Sequence, residues 1–207
     1  MRLAFIFFMT AAVIGMGAGL LLLAQDSAPD TLVHAKVGGV SLAYARAYAR
    51  DDATAAGGLT DRLGFVVSFP DFSPLPMDRR SQPRSSITMV LTTKEDGPEP
   101  QDRLTKVYTH FLTPDTLVGP GGLVRRRFEA GSPYDLEELF VAAPDGRNFF
   151  ARCLKRETRT PGEDCFSVFR DGALDVELRY PASLLEQWDA LYDGSRALVR
   201  RMRARAR

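Results

Sequence analysis

The residues with the most definite chemistry in this 207-residue chain are its only two cysteines, Cys153 and Cys165. They flank a loop, residues 157–164, in which Thr160, Pro161 and Gly162 give a turn signal. If residues 148–156 pair with residues 165–170 as a hairpin centred near Arg159, the cysteines fall opposite one another. Phe149 then faces Phe169, and Ala151 faces Ser167. Opposed Cβ atoms in such a ladder lie about 4.5–5.5 Å apart, close to the span of a disulfide. In an oxidising compartment the pair is expected to be a structural disulfide. Zinc is a weaker reading, because two thiolates without a nearby histidine are too few ligands for a structural site. The spacing is also far from Cys-x-x-Cys, which argues against a dithiol redox role.

Catalytic signatures are missing from the rest. His34 and His110 are the only histidines. Each falls in a strand-like run, where a lone imidazole is expected to be packed or hydrogen-bonded. No His-Glu-x-x-His, Gly-x-Ser-x-Gly, phosphate-loop or dinucleotide glycine pattern occurs. Gly119-Pro120-Gly121-Gly122 lacks a Lys-Ser/Thr ending and reads as a turn. Asp71, Asp115, Asp135, Glu137 and Glu138 supply carboxylates. Paired acids cleave glycosidic bonds only at a separation of about 5–10 Å, which sequence does not provide, so most of these read as solvated charges. The expectation is no catalytic residue, no metal site and no cofactor. The alternatives are a carboxylate-dependent hydrolase and a ligand-sensing domain of the cell envelope.

Three stretches could engage a partner. Residues 69–84 carry four prolines, with Asp71, Phe72, Pro74 and Met77 as the candidate partner-binding residues. A structureless loop of that length is uncommon inside a domain and often functional, although an irregular crossing loop is the favoured reading. Arg125-Arg126-Arg127 lies in a strand-like run, so alternation sends Arg125 and Arg127 to one face and Arg126 to the other. Those cations either bind an anion or are solvated and paired with neighbours such as Glu137 and Glu138. Residues 200–207 hold five arginines. They either touch anionic headgroups or favour the helix C-terminal dipole and fray, and fraying is expected.

What positions these residues is read from hydropathy. No charged residue occurs between Leu3 and Ala24. At about 1.5 Å of rise per residue, that run crosses a hydrocarbon core of about 30 Å. A cleaved signal peptide is the rival, but its apolar region is usually about 7–15 residues and ends in a small-x-small site. Here Leu22 occupies the outer small position, so an uncleaved anchor is preferred. Arg2 flanks one end, while Asp26 and Asp30 flank the other. Positive charge stays inside, so a single-pass protein of the bacterial inner membrane is expected, with its C-terminal domain in the periplasm. Ala11, Gly15 and Gly19 share one face of that helix, a spacing that can support a homodimer. The simple abundance of small residues in membrane helices is the favoured explanation.

The organisation that follows is a span at residues 1–24, a linker at 25–31, an extracytoplasmic domain at 32–199 and a basic tail at 200–207. Strand-like runs at 32–37 and 40–46 meet at Gly38-Gly39, a hairpin signal, while residues 43–56 are ambiguous between strand and helix. Further strands are read at 63–69, 87–93, 103–112, 123–128, 136–142, 148–156, 165–170 and 174–180. Pro181 opens a helix whose stripe is Leu184, Leu185, Trp188, Leu191, Tyr192, Leu198, Val199 and Met202. The fold class is α+β: a mainly antiparallel sheet with a long C-terminal helix packed on it, preceded by the transmembrane helix. Val40-x-Leu42-x-Tyr44 echoes Val176-x-Leu178-x-Tyr180, which half-buried strands produce without duplication. The formal net charge of +1 points away from nucleic acid. The functional expectation is a membrane-anchored, non-enzymatic envelope protein whose exported domain binds another protein.

Overall fold

Alternation of apolar side chains fixes the main sheet strand by strand. Leu63, Phe65 and Val67, then Ile87, Met89 and Leu91, then Leu174, Val176 and Leu178 are all fully buried. Each set occupies every second position of its strand, so it lines one side of a pleated sheet. The computed structural model describes residues 28–75, 85–158 and 164–207. The expected membrane span, with Ala11, Gly15 and Gly19, lies outside the described residues, as do Met77 and the turn at Thr160, Pro161 and Gly162. Among the described residues no helix is long and apolar enough to cross a membrane.

The strands are β1 (Leu32–Val37), β2 (Val40–Ala45), β3 (Gly58–Thr60), β4 (Arg62–Ser68), β5 (Ser73–Pro74) and β6 (Ser86–Thr93). They continue as β7 (Leu112–Val118), β8 (Val124–Phe128), β9 (Glu137–Val141), β10 (Phe150–Leu154), β11 (Cys165–Asp171) and β12 (Leu174–Tyr180). The α-helices are α1 (Asp52–Ala56), α2 (Arg103–Lys106) and α3 (Trp188–Ala204). Nine strands form one antiparallel sheet in the order β5-β4-β6-β12-β11-β10-β9-β8-β7. From β7 to β12 the chain meanders, each strand beside the last, until β12 docks against β6. A second sheet, β2-β1-β3, combines an antiparallel hairpin with a parallel β1–β3 pair. Gly38 (φ 53°) and Gly39 (φ 85°) make the hairpin turn, where an L side chain would be strained.

The small sheet and α3 pack on the same face of the large sheet, here called the inner face, and share one apolar core with it. Leu191, Leu198, Val199 and Met202 form the buried stripe of α3. A six-residue 3₁₀ segment, Ala182–Gln187, precedes it and buries Leu184 and Leu185. The helix runs to Ala204 and buries Met202, and Arg203 reaches Asp171 at 3.3 Å. The expected fraying tail is therefore helical through Ala204, because its apolar stripe continues past Arg200.

The stretch 103–112 is not the strand expected from alternation. It forms α2 and a 3₁₀ turn, Tyr108–Phe111, lying over the other, outer face. Leu104, Val107, Tyr108 and Phe111 recur at three and four residues, and burying that stripe on the sheet selects the helical period. Strand β7, which follows, carries Pro114 and polar residues and gave no alternation signal. The cysteines are joined, with Cys153 paired to Cys165 in the β10–β11 ladder.

Candidate functional site

Of the residues expected to contact a partner, Phe72 is withdrawn into the core. It is 3% exposed at φ 55°, packs 6.1 Å from the ring of Phe69, and its carbonyl accepts from Tyr48 Oη at 3.2 Å. A Cβ at Gly194 would collide with its ring, so the missing side chain there is what lets α3 approach. Pro74 is half-buried in β5, paired with Val67. Asp71 is exposed, but its carboxylate caps a local turn by accepting from the backbone N–H and hydroxyl of Ser73. Residues 69–75 thus form a tethered crossing with a short edge strand, not an apolar docking loop. Its apolar residues look exposed in sequence because the helix that covers them is more than a hundred positions away.

The expected histidine roles also change. His34 on β1 and His110 in the 3₁₀ turn are both exposed, so neither is a packed core residue. Among the described residues no group of three or more His, Cys, Asp or Glu could hold a metal ion. Glu137 and Glu138 are consecutive on β9 and point to opposite faces, so they do not act on one bond. Glu137 bonds Arg152 at 2.9 Å, and Glu138 lies 3.7 Å from Arg125. Asp135 accepts from the Gly131 N–H, and Asp115 is an exposed residue of β7 whose backbone carbonyl accepts from Arg126.

The outer face carries an aromatic cluster that sequence reasoning missed. Tyr108 stands edge-on to Phe128, Tyr134 and Phe150. The Arg152 guanidinium lies 5.0 to 5.4 Å from the ring centroids of Tyr134, Tyr108 and Phe166. A cation over ring faces is attracted by their quadrupoles, and Glu137 neutralises it. Burial raises the Tyr108 phenol above its ordinary value. Beside this cluster, Leu104, Leu112, Val124, Leu139 and Val141 line a cavity of about 210 Å³. That is smaller than the usual 300–1,000 Å³ of small-molecule sites. Val118, 90% exposed, pairs with Val124 and so shares its face.

The inner face differs at its far end, where no residue of α3 lines the surface. There a cleft of about 370 Å³ is lined by Arg125, Arg127, Glu138, Lys155, Arg156 and Glu157. Arg125 and Arg127 share this side, as alternation requires, while Arg126 turns away to donate to the carbonyls of Thr113 and Asp115. Glu138 is the cross-strand neighbour of both Arg127 and Cys153. The backbone N–H of Lys155 donates to Leu136 O at 2.8 Å, and Thr158 N–H to Lys155 O at 2.9 Å, fixing the Arg156–Thr158 turn. Four cations face two carboxylates, a net charge of +2. Leu136, 56% exposed, lies beside them. Chemically this surface attracts anions and offers no group poised for bond cleavage. Arg125 and Arg127 were legible in sequence. Lys155 and Arg156 were not, because they enter the cleft only through the β9–β10 pairing and the turn after it.

No family model matches this sequence, and no curated protein matches it. Two solved structures do resemble the fold. One is Smlt3025, an immunity protein of the Stenotrophomonas maltophilia type IV secretion system, at TM-score 0.61 and 17% identity, covering 84% of this chain and 93% of that one. The other is FrpD, an iron-regulated outer membrane lipoprotein of Neisseria meningitidis, at TM-score 0.53 and 10% identity with the same coverage, 84% and 93%. What is shared is the fold. At these identities it carries no residue's role across.

Proposed function

We propose that this chain is a membrane-anchored, non-enzymatic envelope protein whose folded domain binds another protein. The observation that carries the reading is the fold likeness over 84% of the chain to an immunity protein and to an envelope lipoprotein. The Cys153–Cys165 disulfide supports an oxidising compartment, hence a domain beyond the cytoplasm. In this reading residues 3–24 anchor the chain in the bacterial inner membrane and 25–31 link them to a periplasmic domain. The small outer-face cavity and the cationic cleft fit a recognition surface better than a hydrolase centre.

The test is extraction of the tagged native protein in detergent, followed by gel filtration with light scattering. A stoichiometric complex with one other protein is expected, and a solitary monomer contradicts the reading. Sidedness is tested in intact cells with a membrane-impermeant amine reagent directed at Lys94 and Lys155. Labelling from outside the inner membrane is expected, and labelling only after lysis contradicts it. An immunity role requires in addition that the partner harm cells lacking this chain.

A further inference from the structure

Resting on that reading, we propose that the partner docks on the cationic cleft of the inner face, and that it presents an acidic segment there, with Asp or Glu side chains meeting Arg125, Arg127, Lys155 and Arg156. The cleft holds four cations against Glu138 and Glu157. Among the described residues its one ion pair is Arg125–Glu138 at 3.7 Å; Arg127, Lys155 and Arg156 have none. The Nε of Arg125 is buried without a hydrogen-bond acceptor among the described residues. A carboxylate entering the cleft supplies the acceptors that these groups lack, and guanidinium–carboxylate pairing is the strong, geometrically specific form of such contacts.

The cleft is also mounted rigidly. Arg125 and Arg127 are held by the β8–β9 ladder, Glu138 by β9–β10, and the far wall by the Cys153–Cys165 bridge. The backbone that carries the cations is thus fixed before a partner arrives, and the surplus positive charge favours fast, charge-steered association. The mixture of Glu138, Glu157 and the exposed Leu136 with the four cations suits the mixed surface of a protein. An anionic bilayer would also be drawn by the net charge of +2 but offers nothing to pair with Glu138 and Glu157, whereas a protein segment can set a hydrogen-bond donor against each. The apolar cavity of the outer face is the weaker docking site. Its neighbouring edge strand β7 carries Pro114, which cannot donate to an added strand, and a register shift between Leu112 and Thr116.

The experiment uses the full-length protein in detergent and a fluorescent hexaglutamate peptide as probe, read by anisotropy. Arg127→Glu is compared with Arg62→Glu, an equal charge change at an exposed position on β4. Wild type and Arg62→Glu should bind alike, while Arg127→Glu weakens binding about tenfold or more. Raising salt from 20 to 200 mM should weaken the wild type, because screening shortens the reach of each charge. Equal weakening in both variants overturns the proposal, as does binding by Arg127→Glu unchanged from wild type. Unchanged melting of Arg127→Glu guards against a folding artefact, and Lys155→Glu serves if that variant is unstable. In native membranes, a partner that stays bound to Arg127→Glu sinks this docking site but leaves the protein-binding reading intact. A wild-type protein without any partner sinks that reading instead. Loss of binding to phosphatidylglycerol vesicles in Arg127→Glu, with peptide binding unaltered, would mark the cleft as a lipid site and overturn the proposal.

Discussion

The two faces of the nine-stranded sheet are covered by different means. On the inner face a 17-residue helix and a whole second sheet press on a continuous apolar core, in which Leu63, Phe65, Leu91, Val176, Leu178 and Leu191 are all fully buried. On the outer face, cover comes from a four-residue helix and a 3₁₀ turn over a smaller cluster, with Arg152 wedged among rings. The first arrangement draws stability from buried area, the second from a few shaped contacts. Where the inner cover ends, β9 still buries Phe140, while its neighbour β8 places a half-buried Arg125 opposite that ring and an exposed Arg127 two positions further on. The difference teaches that one alternating strand pattern serves packing where α3 and the second sheet lie on it and presents charge where no residue of α3 lines the surface.

Truncation inside each core measures that contrast most strongly. Leu191→Ala should destabilise the domain by about 4 kcal/mol, whereas Leu104→Ala under the thin outer cover should cost about 2 kcal/mol, since a loosely held site collapses around the gap. Urea unfolding of both variants checks this, and equal losses would make the outer cluster as much a core as the inner one. Replacing both cysteines, Cys153→Ser with Cys165→Ser, should cost about 3 kcal/mol in the chain-entropy treatment of a loop of this size. That loss is read as a lower urea midpoint, and it should match the effect of reducing agent on the wild type. Gly194→Ala forces its methyl into the Phe72 ring and should cost about 2 kcal/mol, partly restored by Phe72→Leu, because overpacking is relieved by volume on the other side. A neutral Gly194→Ala would mean that residues 69–75 are not pinned to α3.

The smallest effect concerns pH on the outer face. Burial pushes the Asp175 carboxyl up, but hydrogen bonds from Arg170 and from the Glu95 N–H, with the Arg170 charge, outweigh it and hold the group below its ordinary value. A depressed carboxyl contributes stability above the unfolded value of about 4, and that contribution is lost as pH falls through the folded value. Wild type should therefore lose more stability between pH 5 and pH 2 than Asp175→Asn does. Parallel losses in the two proteins would show that this pair is not a pH-dependent tie.

Much of the inner face was legible in sequence because it obeys a period of two. The hairpin at Gly38-Gly39, most of the large-sheet strands, the Cys153–Cys165 register and the stripe of α3 all follow from alternation or helical spacing. The shared Val-x-Leu-x-Tyr pattern has the same origin. Tyr44 and Tyr180 are both fully buried, one donating to Thr54 O and the other paired with Ser167, each near the end of a strand on the common core. The outer face was poorly legible for a physical reason. In residues 103–112 the apolar positions satisfy periods of two and of 3.6 at once, and only tertiary burial chooses between them. Phe72 was misplaced because an apolar residue in a proline-rich run gives no hint of the helix that covers it. The cleft was half legible: strand alternation placed two arginines, but a turn after another strand supplied the remaining cations.

The uncovered end of the inner face is proposed to be a protein-recognition surface. A photo-crosslinking amino acid placed at Leu136, beside the cleft, and separately at Val118, on the outer face, tests it in intact cells. One discrete adduct from position 136, abolished by Arg127→Glu, with none from position 118, is the predicted result. Adducts from both positions, or an adduct at 136 that survives Arg127→Glu, would contradict the account.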